Sequence, residues 1–555
     1  MVDSRPDVAK PGPPGRFAPE PLRRKNGTAS PLRSAAAYLA STFGPGEVGS
    51  GALRPPRPRG VALSSGTLAA LVMILRLFLP RTVGMADDGT GQQLLCSLGV
   101  RNLRPWGYTE FTHFIHPSWV PHQYHGEACG FTGSGEPVYS SQLLVLWLGK
   151  WLTPVFAWGA GLDTRAVGIA CCVAFGALIA GLVAALPGRT PFRVMIAALV
   201  TLVTADGVFA DFFVSPYRES AAFLGTLALA VALLRYWNDG RPRWASVLMV
   251  VLAAAFTISA MPQMVSWLPV IALALLWLPV DERRRASAAR GRRRTGSGSA
   301  RRRAGSRRRR WKAFVVPSAA VIAIAGVAVA FLSVEPKRAT EVNLYNTVFA
   351  SILPNSPDPV ADLKWLGLDR SFVTAAGSTM DSINSAVYNP HYAQFGEQIN
   401  RGKIAAFFAT HPERLIGLGE RGITALLTPE FSNGGSYMAD SGQGPGAKER
   451  RVPVVLGLYT ALKAAPVALP GLHLLTLLLG FAVAARRKSG IGRLAVVMVL
   501  GCWAQFWVVL IFEVQPEIHS RMIVTGFMSA LCVPLLVALV SILASKSPQP
   551  KPHVV

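Results

Sequence analysis

"VYSSQLLVLWLGKWLTPVFAWG" (residues 138–159) is apolar enough to be taken for a membrane-crossing helix, and everything downstream turns on whether it crosses. Lys150 stands in mid-run and Pro154 near the end, which suits a helix lying in the interface better than one threading the hydrocarbon. Counting it as a span inverts every later segment and carries the tract "DERRRASAARGRRRTGSGSARRRAGSRRRRWK" (281–312) to the outside. Basic segments beside spans ordinarily remain cytoplasmic, where they meet anionic headgroups. The segment is therefore read as interfacial.

With that choice, ten spans are expected, at about 61–80, 164–186, 194–212, 219–236, 244–260, 262–280, 313–333, 467–485, 494–512 and 522–544. The links "PGRTPFR" (187–193), "RYWNDGRPR" (235–243), the Arg-rich tract and "ARRKSGIGR" (485–493) then all fall inside, with both termini. The composition agrees: 51% of the 555 residues are hydrophobic, only 15% are charged, and mean hydropathy is +0.35. Apolar blocks of about 20 residues match a bilayer core of roughly 30 Å. The expected fold is an all-α polytopic membrane protein.

Its organisation follows. Residues 1–60, rich in Pro, Gly, Ser and Arg, read as a disordered basic cytoplasmic tail. Residues 61–333 form an N-terminal transmembrane module with a long outer loop, 81–163, and the cytoplasmic loop 281–312. Residues 334–452, with aromatic and short apolar patches such as "IAAFFATHPERLIGLG" (404–419), read as a small extracytoplasmic domain. The last helices occupy 453–545, and 546–555 is a cytoplasmic tail. The net charge of +26 resembles a nucleic-acid signal, but about half of it lies in the tract between two apolar blocks, so nucleic acid is not an expected partner and membrane lipid is.

Three outer loops bring polar groups to one face. The first opens with Asp87 and Asp88, in "RTVGMADDGTGQQLLCSLGV" (81–100). "FADFFVSPYRES" (209–220) carries Asp211, Arg218 and Glu219, and "FEVQPEIHSR" (512–521) carries Glu513, Glu517, His519 and Arg521. Carboxylates suit base catalysis and guanidinium groups suit phosphate. Each has a plainer reading: Asp-Asp-Gly is also a turn, and Arg218 and Arg521 could pair with Glu219 and Glu517. Asp206 lies in an apolar run, where an acid needs a partner or a cavity. Arg76, one turn from the end of the first span, is expected to snorkel to the headgroups, with a phosphate contact as the rival reading. "HFIHPSWVPHQYH" clusters His113, His116, His122 and His125 with Trp119 and Tyr124, and Pro117 and Pro121 break any rigid helix there. These read as loop histidines and anchoring aromatics before they read as zinc ligands. Cys96 and Cys129 share the outer loop and could pair, while Cys171, Cys172, Cys502 and Cys532 lie in apolar runs. No Gly-rich nucleotide-binding loop is present.

The acidic pair after the first span, the surface helix "YSSQLLVLWLGKWL" and the outer stretch "ADFFVSPYRESAAFLG" together resemble the GT-C class of integral-membrane glycosyltransferases. That last stretch and "LGLDRSFVTAAGS" are similar to bacterial hexose transferases of surface-glycan biosynthesis. This chain has YSSQ (139–142) where many of those enzymes carry His-Pro-Pro-Leu. The resemblance implies a GT-C-like bundle, a polyprenyl-phosphate-linked sugar as donor, and a glycan or lipid-linked acceptor on the extracytoplasmic face. Asp88, which precedes Gly89, or Asp87 would be the base. Asp211 or Glu219 would orient the acceptor or hold a divalent metal, and Arg218, Arg521 and His519 would face the departing phosphate. A transporter or flippase for a lipid-linked glycan and a non-catalytic assembly scaffold are the alternatives.

Overall fold

The computed structural model describes residues 59–86, 91–101, 117, 119, 122–123, 138–239, 243–277, 299–429, 434–487, 489–512 and 518–545. Outside them lie both tails, most of the Arg-rich tract, Asp87, Asp88, His113, His116, His125, Cys129, Glu513 and Glu517. Almost everything described is helical; the strand pairing described is a two-residue antiparallel contact of β1 (Val100–Arg101) with β2 (His122–Gln123).

The chain opens with α1 (Arg59–Phe78), followed by a short α2 (Gln92–Ser97) and α3 (Gln142–Leu152). At about 1.5 Å per residue the 11 residues of α3 reach only about 16 Å, half a bilayer core, so this helix cannot cross. Its outward face carries Leu144, Trp147, Leu148 and Trp151, all exposed, with the two indoles 5.3 Å apart, as in a helix lying in the interface. Its start is tied into the bundle: Ser140 Oγ donates to Ala260 O at 2.7 Å and Ser141 Oγ to Phe256 O at 2.7 Å.

Then come α4 (Thr164–Ala185), α5 (Thr190–Thr204), α6 (Gly207–Ala210), α7 (Glu219–Asn238), α8 (Trp244–Ile258) and α9 (Leu268–Leu276). Asp163, in "LDTR", caps α4 by accepting from Arg165 N at 2.8 Å. Helix α1 packs along α4 through small residues, and a Cβ added at Gly176 would lie 2.6 Å from Gly66 O and 2.7 Å from Ala70 Cβ. Close backbone approach of this kind replaces the hydrophobic drive that lipid removes. Gly176→Leu should therefore part α1 from α4 and cost about 1–3 kcal/mol of stability by overpacking. A denaturant titration of the detergent-solubilised protein checks it, and an unchanged midpoint would refute the seam.

A 35-residue helix, α10 (Ser299–Ser333), follows, with Phe314–Ser333 as its apolar part. The next region holds α11 (Lys337–Tyr345), α12 (Pro359–Leu366), α13 (Ala393–Gln398), α14 (Arg401–Thr410) and α15 (Pro412–Leu426) around Tyr345, Phe349, Phe372 and Phe395. In "LGLDRS", Asp369 caps a 3₁₀ turn, and the Ser371 hydroxyl and amide hold its carboxyl below the usual carboxylate range. The chain ends with α16 (Val454–Leu462), α17 (Ala468–Arg486), α18 (Gly490–Phe512), α19 (Ile518–Arg521) and α20 (Ile523–Ala544).

Among the described residues seven helices are long and apolar enough to cross a membrane, and an eighth is the pair α5 plus 207–214, bent by 70°. The other two expected spans are shorter among the described residues. The segments at 244–260 and 262–280 are apolar helices of 15 residues each, Trp244–Ile258 and Pro262–Leu276. Pro262 and Pro269 begin the second of these as 3₁₀ and then α, because a proline suits a first turn but not an interior one.

Candidate functional site

The polar groups converge at the end of the bundle where α1 finishes and α4 and α7 begin. The convergence starts from the break after α5. Asp206 leaves the helix, caps α6 by accepting from Val208 N at 3.1 Å, and with its other oxygen accepts from Val455 N at 2.6 Å and Leu456 N at 3.1 Å. One buried carboxylate thus satisfies the start of α6 and the start of α16, where free N–H groups and the helix dipole favour negative charge. This is the partner that an acid in an apolar run requires. Phe209, Phe212, Phe223 and Phe527 lock the bend against α7 and α20, with ring centroids 4.6–6.0 Å apart.

Arg76 does not snorkel. Its side chain is 5% exposed, its Nε donates to Ala205 O at 3.0 Å, and Nη2 reaches Asp211 Oδ1 at 3.5 Å and Glu449 Oε2. The last turn of α1 faces the bundle, where Asp211 and Glu449 lie within reach of its guanidinium. Glu449 Oε1 in turn accepts from Arg451 N at 2.7 Å and Arg451 Nε at 2.6 Å. Arg451 then returns to the carbonyls of Arg76, at 2.7 Å, and Leu79. The result is a closed clamp between the end of α1 and the segment 434–451. Glu449 and Arg451 escaped the reading of the sequence. Their signal was "KERRVPVV" (448–455), charges set directly before an apolar run.

The clamp fixes a second feature. Residues 83–86, which lead into Asp87 and Asp88, lie between two segments. Gly84 N donates to Ser436 O at 3.1 Å and Ala86 N to Gly435 O at 3.0 Å on one side. On the other, Met85 N reaches Val214 O at 3.4 Å and Tyr217 Oη donates to Ala86 O at 2.9 Å. The chain entering the acidic pair is thus held against the segment bearing Asp211, Arg218 and Glu219.

The structure places the other candidates as follows. Asp211 is buried and opposes Arg76. Arg218 sits at the cap of α7 and is half-buried; Glu219 begins α7 and is buried. Gln142, the last residue of YSSQ, is fully buried, and its Oε1 accepts from Ala221 N at 3.0 Å in the first turn of α7. His519 and Arg521, both half-buried on α19, lie between α15 and the start of α20, and among the described residues His519 Nδ1 meets no hydrogen-bond partner. Asp87 and Asp88 themselves lie outside the described residues. Among the described residues no group of three or more His, Cys, Asp or Glu is placed to hold a metal ion. Cys96 is disulfide-bonded, and Cys171, Cys172, Cys502 and Cys532 are free and buried.

This architecture is that of a polytopic all-α membrane protein. The profile of the YfdI N-terminal transmembrane domain family matches residues 58–540, and the chain belongs to that family. No curated protein and no solved structure matches the chain.

Proposed function

We propose that the protein is a GT-C-type glycosyltransferase that moves a sugar from a polyprenyl-phosphate donor to a surface-glycan or lipid-linked acceptor on the extracytoplasmic face. The observation that supports this reading is the pinning of residues 84–86, which lead into the acidic pair, between 214–217 and 435–436, beside the buried cluster of Arg76, Asp211 and Glu449. Family membership supports the membrane class, and the disulfide at Cys96 suits an oxidising, extracytoplasmic loop.

In the proposed reaction Asp88, or Asp87, takes the proton of the acceptor hydroxyl as that oxygen bonds to the anomeric carbon. The C1–O bond to phosphate breaks with inversion, and the electron pair leaves on the polyprenyl phosphate. Negative charge on that leaving group grows in the transition state, so cations placed there act on the rate as well as on binding. Arg218, Arg521 and His519 are assigned to it. Asp211 has Arg76 as its counter-ion and shapes the floor of the site, while Glu219 orients the acceptor.

The test is release of polyprenyl phosphate from synthetic polyprenyl-phosphate hexoses, presented as a panel to proteoliposomes of the full chain with glycan acceptors. Transfer from none of them, in protein that is folded and correctly inserted, would refute the enzyme reading. Within that assay Arg521→Ala should raise the donor KM about 10-fold or more, the loss expected for a charged hydrogen bond, and leave the acceptor KM near wild type. Equal effects on both substrates would remove Arg521 from the phosphate.

One observation favours a transporter of lipid-linked glycan: the 70° break with a buried acid, a device that transporters use. Both readings share the polar end. They separate on whether a null strain accumulates a lipid-linked product that lacks one sugar or a complete one.

A further inference from the structure

A chain of side-chain hydrogen bonds links α16, α20 and α17, and its geometry fixes where each proton lies. Tyr459 of α16 is buried, and its hydroxyl donates to Gly526 O of α20 at 2.8 Å. A carbonyl only accepts, so the one phenolic proton is placed there. The Ser529 hydroxyl, about one turn along α20, also bonds to Tyr459 and must donate to the phenolic oxygen. Its own oxygen then accepts from His473, whose Nε2 lies 2.9 Å away on α17. The imidazole proton is therefore on Nε2, and Nδ1 carries a bare lone pair.

Among the described residues that lone pair meets no donor, although His473 is only 1% exposed. The ring lines a crevice between α15, α17 and α18 of about 10 Å³, room for one water-sized group. The rest of its wall is apolar, with Leu426, Leu469 and Phe506 among it and Trp503 edge-on to the imidazole at 5.9 Å. Cys502, also on the wall, directs its thiol to Thr525 O at 3.7 Å and so does not serve Nδ1. No Asp or Glu lines the crevice, and a cation without a counter-ion is costly in such surroundings, so the ring stays neutral. Thr525 Oγ1, one turn before Ser529, is a second buried polar atom that meets no partner among the described residues. Native interiors answer almost every buried acceptor, because an unmet one is destabilising.

We propose that the crevice at His473 is a binding site for one neutral O–H donor, a water molecule or the hydroxyl of a lipid, which donates to Nδ1. An anion would face a lone pair, and a cation would find no carboxylate; a hydroxyl matches both the acceptor and the volume. The occupant completes a hydrogen-bonded chain from α17 through α20 to α16, in which each bond polarises the next. Helix α16 begins on Asp206, so the site bears on how that helix is seated. The proposal does not depend on the enzymatic reading.

The test is nitrogen NMR of the full chain, labelled with ¹⁵N-histidine, delipidated and held in nanodiscs, with the His473 signals assigned by their loss in His473→Gln. The expected ring is neutral and protonated on Nε2, with Nδ1 shifted from the free-lone-pair position by a hydrogen bond. Phosphatidylcholine has no O–H group. A shift present in nanodiscs of that lipid alone assigns the donor to water, and one that appears only when phosphatidylglycerol or diacylglycerol is added assigns it to a lipid hydroxyl. Leu426→Phe fills the crevice and should return Nδ1 to the free position; if that variant misfolds, Leu469→Phe takes its place with the same expected change. Ser529→Ala removes the acceptor that fixes the tautomer and should give a mixture of both. The proposal is overturned by a proton on Nδ1 in the wild type, by a free Nδ1 in every lipid, or by a shift that survives filling of the crevice.

Discussion

Asp88→Asn is expected to stop sugar transfer in proteoliposomes that contain normal amounts of correctly inserted protein. A positioned general base contributes about 10²–10⁴-fold, and an amide of the same shape cannot accept the proton, so residual transfer should fall by at least the lower figure. Asp87→Asn should act on a different quantity, raising the acceptor KM with a smaller loss of kcat, if the second carboxylate positions the hydroxyl that the first deprotonates. The two acids follow a segment that is hydrogen-bonded on both edges up to Ala86. An Asp-to-Asn change keeps the size and shape of the side chain and leaves that anchor intact, so the unfolding midpoint should stay at the wild-type value while product disappears. Full transfer by both Asn variants would remove the catalytic reading. Exchange of the two phenotypes would move the base to Asp87.

How far the sequence reveals this arrangement differs from residue to residue. The helical architecture is legible because lipid forces every backbone group into a local hydrogen bond, and apolar blocks of spanning length leave few choices. The 11-residue helix at 142–152 is legible for the same reason, since Lys150 and Pro154 mark where hydrocarbon ends. Helix lengths at 244–280 are not: an apolar run shows that a segment is buried or in lipid, and only its caps, here Ser259 and Trp277, decide where it stops. At the candidate site the pattern is sharper. The acids on the 209–220 loop could be picked out because charge is conspicuous beside apolar runs. Their partners could not, because Arg76 meets Asp211 across 135 positions and Glu449 across 373, and no local rule spans such separations. Snorkelling was the natural reading of Arg76 from its own helix alone. The missing information was which face of α1 the rest of the chain would cover.

Arg76→Met should be the most damaging single change to the fold outside the apolar core. Removing one partner of a buried ion pair costs about 3–5 kcal/mol, because the desolvated charge left behind has nothing to replace it. Here Arg76 serves Asp211, Glu449 and the carbonyl of Ala205, so the loss is expected at the upper part of that range. Arg76→Lys keeps the charge but cannot reach all three acceptors with one ammonium group and should recover only part of it. The decisive variant is Arg76→Met with Glu449→Gln. If the clamp is a true pair, the double change costs less than the sum of the two single changes, with a coupling of about 0.5–3 kcal/mol, read from unfolding midpoints in mixed detergent. A snorkelling arginine predicts the opposite in each case: a single-variant cost within about 0.5 kcal/mol and no coupling. The same clamp holds 434–451 against the end of α1, and with it the edge on which residues 84–86 lie. On the proposed enzymatic reading, a folded but weakened Arg76→Met protein should therefore lose transfer before it loses insertion, since the segment 84–86 that leads to the acidic pair would lose its edge.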